Sequence, residues 1–333
     1  MPHAHLIQRV TILGTGLIGG SFALALKKYA TGLRITGWDR AEVAQDAKSR
    51  NAIDVACHGD LAPAVSNADL IYVALPIGAT LDLLPEIAKH AASHALITDA
   101  CSTKLRIVQS AMEIFHHSTG PLFLAGHPMA GRELSGIAHA DADLFHHQTY
   151  ALITTPSASS SDAVSGMASK AAAELPIRTS PAQAATVDAP SDALPDPRNH
   201  ARDPRISAFL KLLEKIGARP LWLGAQQHDY AVGLVSHLPQ LAAVALASFL
   251  YDRLDENGLP ITLSGPGLRD SLRLAGSPYA IWRDIILTNR EILSAELDLF
   301  ARRLDDLRER LNSRELEADF DAANELYKLL RSL

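Results

Sequence analysis

The sequence predicts an α/β fold class, a doubly wound parallel sheet followed by an all-helical half, and three observations carry that prediction. Short apolar runs alternate with helix-like stretches through the first half, the pattern of strand and crossover helix. The first run opens directly onto a glycine-rich turn, Gly14-Thr-Gly16-Leu17-Ile18-Gly19-Gly20. From Gln226 onward strand patterns largely give way to helical periodicity. At 333 residues the chain is long enough for two domains, and its 47% hydrophobic content can fill ordinary cores. The expected division is a sheet domain over residues 1–224, interrupted at 157–204, and an all-helical domain over 225–333.

The elements follow in order. Val10 to Leu13 reads as the first strand, and a helix-like pattern follows from Ser21 to Lys28. Between them Gly14 allows a tight turn, Gly16 lets the backbone approach a pyrophosphate, and Gly19 lets helix and strand pack closely. The backbone around Leu17 and Ile18 then turns the unpaired N–H groups of the helix start toward the phosphates, as in a Rossmann-type dinucleotide site. Alone, such a glycine pattern is no more than a turn. Here a second strand, Arg34 to Trp38, ends in Asp39, twenty residues after Gly19. A carboxylate there accepts hydrogen bonds from ribose hydroxyls and repels a 2′-phosphate, so NAD is favoured over NADP. Arg40 either turns toward a 2′-phosphate or stands exposed at the start of the next helix.

Further strands are expected at Leu70 to Leu75, ending at Pro76, at Leu96 to Thr98, ending at Asp99, at Leu122 to Ala125, and at Tyr150 to Thr154. Pro76, Ser102 and His127 all fall just beyond strand ends, where doubly wound sheets gather their ligands. Ser157 to Pro204, rich in alanine, serine and proline and without an aromatic residue, is expected to be a mobile insertion. Ile206 to Ile216 then reads as a helix stopped by Gly217, and Pro220 to Leu223 as a short strand. Leu293, Leu297, Phe300, Leu304, Leu307 and Leu311 form one apolar seam along a long helix, which by itself would face its own domain's core.

Composition narrows the function classes. The net charge of −6, without a lysine or arginine cluster, argues against a nucleic-acid surface. No signal-peptide core precedes Arg9, and no run of about 18 apolar residues follows, so no membrane span and a cytoplasmic location are expected. Cys57 and Cys101 read as reduced thiols. His90 and His94 have helical metal-pair spacing, but no third ligand accompanies them, and His116-His117 and His146-His147 are weaker still; no metal is expected.

The most telling words are Gly126-His127-Pro128-Met129-Ala130-Gly131, continued by Glu133, Ser135-Gly136 and Leu144-Phe145. They place a histidine where an apolar run meets a proline and a glycine loop, the setting of a general base held by a strand end. An isolated His-Pro would more simply be a histidine satisfied by local backbone. The words around it resemble the signature of the prephenate and arogenate dehydrogenases of tyrosine biosynthesis. Asp99-Ala-Cys-Ser102-Thr-Lys104, Ser236-His237-Leu-Pro239 and Gly267-Leu-Arg269-Asp270 through Arg273-Leu-Ala275 to Trp282-Arg283-Asp284 extend the resemblance over nearly the whole chain.

That resemblance implies a cyclohexadienol substrate, prephenate or arogenate, from which hydride passes to NAD while the hydroxyl proton is removed and carbon dioxide is lost. His127 would take the proton and Ser102 would bond the same hydroxyl or the histidine, unless Ser102 is simply a helix N-cap. Asp99 would orient the loop. Arg273 would hold the substrate carboxylate bidentately, with Arg269 in support on the same helical face, or one of the two would pair with Asp270 or Asp284. His237 would belong to the substrate pocket, with a buried histidine bonded to a backbone carbonyl as the competing reading. Gln240 stands where many prephenate-using relatives carry a second histidine, and a neutral amide suits either side chain of the two substrates. The resemblance also implies a homodimer paired through the helical half. No fused mutase is expected before Arg9, nor a regulatory domain after Leu330. The competing functions are another two-domain NAD(P)-dependent dehydrogenase or imine reductase, and a catalytically silent NAD-binding regulator.

Overall fold

The structure, a computed structural model, describes residues 7–115, 119–131, 134–154, 203–254, 258–312 and 314–332. The insertion expected at 157–204 lies outside the described residues except at Asp203 and Pro204; His116, His117 and Glu133 lie outside them too. By its contacts the chain divides after Asn289 into two compact units, the second of which takes in residues 290–333.

The first unit is built on a six-stranded sheet. Strands β1 (Arg9–Leu13), β2 (Arg34–Trp38), β3 (Val55–Cys57), β4 (Leu70–Val73), β5 (Leu96–Asp99) and β6 (Leu122–Leu124) lie in the order β3-β2-β1-β4-β5-β6, and every pairing is parallel. Helices α1 (Leu17–Tyr29), α2 (Ala41–Ser49), α3 (Ala62–Val65), α4 (Ile77–His90) and α5 (Leu105–Ile114) make the crossovers. This is the doubly wound arrangement expected from the sequence, with its switch point between β1 and β4, where Gly14 and Pro76 follow the strands. Both faces are covered, so β4 is buried throughout. Its alternating side chains serve two apolar layers: Leu70 and Tyr72 join Phe22, Leu26 and Phe209 on one face, while Ile71 and Val73 join Ile87, Ile97 and Ile107 on the other. Phe22 stacks on Tyr72 with ring centroids 3.9 Å apart.

The structure departs from the sequence reading at the far edge. The run around Tyr150 does not extend the parallel sheet. It forms a second, three-stranded sheet, β7 (Gly126–Pro128), β8 (Thr149–Ile153) and β9 (Arg219–Leu223), with β7 antiparallel and β9 parallel to β8. The Ala125 carbonyl accepts from the Ile153 amide, which draws the chain away from β6 and makes His127 a strand residue opposite Ala151 rather than a loop residue. The strand expected to reach Leu75 ends at Val73. Helix α6 (Pro204–Lys215) begins two residues earlier than the apolar pattern indicates, because the Asp203 carboxylate caps it by accepting from the Arg205 amide. Gly217, at φ +76°, ends it as expected.

The rest of the first unit is helical. Ala225–Val232, a π-turn at Gly233–His237 and Leu238–Tyr251 run on as one helix. By length and composition it could cross a membrane, but it carries His228, Asp229, His237 and Gln240 buried within the protein. Short helices at Leu259–Thr262 and Pro266–Leu272, a 3₁₀ turn at Arg273–Gly276 and the helix Tyr279–Thr288 follow, and Ile285 of the last enters the second apolar layer. In the second unit Arg290–Glu309 and Glu317–Arg331 are joined by Arg303 and Arg310, both bonded to Asp319. The apolar seam expected to face this unit's own core is buried only at Leu293; Leu304 and Leu311 are exposed.

Candidate active site

The nucleotide loop has the local geometry its glycines predict. Gly14 sits at φ +90°, and a Cβ there would lie 2.4 Å from the Ala74 carbonyl oxygen. A Cβ on Gly19 would strike the Gly14 carbonyl oxygen, so the helix can approach the strand only through a glycine. Around Gly16 there is open space, and α1 begins at Leu17 with neither a side-chain cap nor an acidic residue in its first turn. An anionic pyrophosphate fits that combination of room and unpaired N–H groups, with Leu17 and Ile18 contributing backbone. Asp39 lies beside it: its Oδ2 accepts from the Thr15 amide at 2.7 Å, and its Oδ1 from the Arg40 amide. Arg40 is exposed, 3.8 Å from Glu42. Pro76 caps the start of α4 across the switch point.

Deeper in the unit a cavity of about 280 Å³ is lined by Ser102, His127, Pro128, Met129, Ala130, Gly131, Val232, Ser236, His237, Ile281, Trp282 and Ile285. Its volume lies just below the usual range for ligand pockets, which begins at about 300 Å³. Three of the expected residues, Ser102, His127 and His237, therefore share one cavity.

Beneath it lies a buried electrostatic frame. Asp99 and Lys104, both fully buried, form an ion pair. Asp99 also accepts from the amides of Cys101 and Gly126, while Lys104 Nζ donates to the Gly126 carbonyl at 2.6 Å. The residue before His127 is thus held through both its amide and its carbonyl. It must be glycine, because a Cβ would lie 2.8 Å from the Tyr150 ring. Asp99 is bonded to the histidine strand through the Gly126 amide.

His127 reaches the cavity with part of its surface, and its Nδ1 is 2.9 Å from Nε2 of His228. Burial above all, with the cationic Lys104 nearby, holds its pKa well below the ordinary 6.5, so the ring is neutral near pH 7. His237 Nδ1 is 3.1 Å from the Asn289 amide nitrogen and accepts from it, which leaves Nε2 protonated. Its partner is this side chain and not a backbone carbonyl. Burial lowers its pKa to about 4, and Trp282 meets its ring edge-on at 5.9 Å between centroids.

Ser102 is not a helix N-cap. Helix α5 starts at Leu105, and its first amides, Lys104 and Leu105, are taken by the Asp229 carboxylate at 2.7 and 2.9 Å. Ser102 lines the cavity, and no hydrogen bond joins it to His127 among the described residues. Gln240, Arg269 and Arg273 are absent from the cavity's described lining. Gln240 is buried and donates to the Leu274 carbonyl at 2.9 Å, tying down the turn that Arg273 begins. Arg269 belongs to the preceding helix and Arg273 to the 3₁₀ turn, so the two do not share one regular helical face; both are exposed. Asp284 pairs with its neighbour Arg283. The histidines with metal-like spacing are paired with carboxylates, His90 with Glu86 and His94 with Asp69.

Two stretches account for most of the chain when it is compared with known families. Residues 22–170 match the nucleotide-binding domain of prephenate dehydrogenase, and residues 224–331 match its dimerization domain. The chain belongs to the prephenate dehydrogenase family. It is an oxidoreductase of that family. A prephenate dehydrogenase of Lactococcus lactis subsp. cremoris is 31% identical over 94% of this chain and 73% of its own length. A cyclohexadienyl dehydrogenase of Zymomonas mobilis is 27% identical, over 92% and 90% respectively. The fold is also that of prephenate dehydrogenase from A. aeolicus, solved with hydroxyphenyl propionate and NAD+, at a TM-score of 0.75, 24% identity and 98% coverage of both chains.

Sequence reasoning missed His228, Asp229 and Asn289. They stand in no motif of their own, and nothing local reveals that His228 reaches His127 or that Asp229 reaches the amides of Lys104 and Leu105.

Proposed function

We propose that the chain catalyses the NAD-dependent oxidative decarboxylation of prephenate, giving 4-hydroxyphenylpyruvate, or of arogenate, giving tyrosine. The observation that carries the reading is a neutral histidine, His127, opening into a ring-sized cavity beside Ser102 and His237 in a chain of this family. When bound, NAD accepts the hydride from the alcohol carbon. The protein's part is to hold the alcohol against His127, which takes the hydroxyl proton at Nε2, the nitrogen not engaged by His228. Ser102 donates to or accepts from the same hydroxyl, and the His237 Nε2–H supplies a neutral donor to the substrate's far end. Met129, Ile281 and Trp282 keep water from the ring.

Arg273, with Arg269 beside it, would take the substrate carboxylate. The support is chemical: a guanidinium on a turn that Gln240 pins to the helix beginning just after His237. Gly14, Gly16, Leu17, Ile18, Gly19, Asp39 and Pro76 would hold the cofactor. Residues 1–224 would then form the cofactor part and residues 225–333 the substrate and dimerisation part, a reading that the two matched stretches support. A homodimer belongs to the same proposal. It is supported by exposed apolar side chains such as Phe249, Tyr251, Leu304, Leu326 and Leu330, a density unusual for a monomer surface. A cytoplasmic enzyme fits this reading.

The test is the rate of NAD reduction by the purified protein with prephenate and with arogenate in parallel, each repeated with NADP. Turnover of either substrate with NAD is the expected result. Silence on both, with NAD still bound, would reject the reading.

A further inference from the structure

His127 presents a chemical difficulty. A base is most effective when its pKa lies near the working pH, and this ring is enclosed and held well below 6.5. It would take a proton reluctantly if it had to keep the charge. The residues behind it form a chain that resolves this. His127 Nδ1 lies 2.9 Å from His228 Nε2, and His228 Nδ1 lies 2.8 Å from Asp229 Oδ1. His228 and Asp229 are both about 1% exposed, so the chain is shielded from water.

The protonation pattern follows from the acceptors. Asp229 accepts from the Lys104 and Leu105 amides as well as from His228, three N–H donors that suit only a carboxylate. His228 Nδ1 must therefore carry a proton. In neutral His228 the other nitrogen, Nε2, is then a bare acceptor, and His127 Nδ1 must donate to it. That leaves the lone pair of His127 at Nε2, the tautomer a base needs.

We propose that His228 and Asp229 are positioning residues that form a proton relay behind His127, an inference that rests on reading His127 as the base. As the substrate hydroxyl proton binds Nε2 of His127, the proton on Nδ1 passes to Nε2 of His228. One N–H bond forms and one breaks on His127, which ends neutral as the opposite tautomer. The positive charge comes to rest on His228, against the Asp229 carboxylate. When product leaves, the sequence reverses and the proton departs to water from Nε2 of His127. The other charged or titratable groups facing the pair are Lys104, already neutralised by Asp99, and His237 from the π-turn; the facing residues of the helix Tyr279–Thr288, Ile281, Trp282 and Ile285, carry no charge. Asp229 is thus the one carboxylate joined to the histidine chain among the described residues.

The deciding variant is His228→Gln. A glutamine carbonyl still accepts from His127 Nδ1 and keeps the ring oriented, but it cannot take up the proton. With a substrate the wild-type protein turns over, kcat should fall about 10²-fold while KM and NAD affinity stay within about twofold. That split is what a merely structural role would not produce, because a displaced His127 ring would weaken substrate binding as well. Unchanged kcat would overturn the relay. Nitrogen-15 NMR of histidine-labelled wild-type protein tests it independently of turnover: neutral His127 should be protonated at Nδ1, and protonation at Nε2 instead would overturn the proposal. Failure of wild-type to use either substrate would instead reject the functional reading, while the NMR result would still decide the tautomer chain.

Discussion

Asp284 Oδ2 accepts a hydrogen bond from the Gly78 amide at 3.0 Å, so a helix from the end of the first unit caps the helix that leaves the cofactor switch point. Gly78 makes this contact possible, because a Cβ there would lie 3.1 Å from the same oxygen. The carboxyl is held below its ordinary 3.8 by the Arg283 ion pair and then by this amide. Asp284→Ala removes the acceptor of a first-turn amide of α4 and, by analogy with the loss of a capping side chain, should destabilise the protein by about 0.5–2 kcal/mol near neutral pH. A group whose folded pKa is depressed stabilises above its unfolded value, and that contribution is lost as pH falls through the folded one. The difference between wild-type and variant in urea unfolding should therefore shrink as pH drops below 3.8. A difference that stayed constant into that acid range would contradict the assignment.

The two histidines of the cavity give the opposite acid behaviour from a surface histidine. Burial drops His237 from 6.5 to about 4, so unfolded protein binds a proton there that folded protein refuses. Stability should be intact above pH 6.5 and decline as pH falls toward about 4. His237→Asn should flatten that decline, which thermal unfolding across the pH range would read. An equally steep decline in the variant would remove His237 as its source.

His127→Asn should lower turnover by about 10²- to 10⁴-fold, the usual contribution of a positioned base. NAD binding, measured by fluorescence titration, should be nearly unchanged, since the Gly14–Gly19 loop does not touch the histidine's hydrogen-bond chain. Near-native turnover would mean another group takes the proton.

Gly14 and Gly16 should separate folding from cofactor affinity. Gly14→Ala forces a side chain into a positive-φ residue against the Ala74 carbonyl and should lower the melting temperature. Gly16→Ala meets nothing within 4 Å, so the variant should melt like wild-type yet bind NAD more weakly because its methyl enters the pyrophosphate's space. Equal NAD affinity in Gly16→Ala and wild-type would place the pyrophosphate elsewhere.

Asp99→Asn leaves Lys104 buried without its counter-ion. Breaking such a pair costs about 3–5 kcal/mol, far more than a surface bridge. Chemical denaturation should show a loss of that order, and the combined change of both residues to apolar ones should recover part of it. A loss within about 1 kcal/mol would mean that water reaches the pair.

The parallel sheet was legible because five of its six strands, β1, β2, β4, β5 and β6, carry their own apolar run. Strands β3 and β7, three residues each, carry no such signal, and β7 owes its place to pairing with Thr149–Ile153 rather than to local preference. Motif words placed Ser102, His127 and His237 in one cavity, since each stands in a local sequence with its own signature. They could not show that Gln240 faces Leu274, or that Asp229 closes the start of α5 from 124 residues away. Those facts belong to packing between distant segments, on which neither periodicity nor spacing bears.

The π-turn at Gly233–His237, where the Leu238 amide reaches back to the Gly233 carbonyl, sets the angular phase of the long helix. His228 and His237 are nine residues apart, which on a uniform α-helix of 3.6 residues per turn would put them on roughly opposite sides, about 180° apart. The wider turn removes part of that rotation, so that one histidine meets the base from behind while the other looks into the cavity. Deleting a single residue from the turn would leave the two histidines eight residues apart on a regular helix, about 80° in phase, so the extra residue lengthens the chain between them without sending the rings to opposite sides.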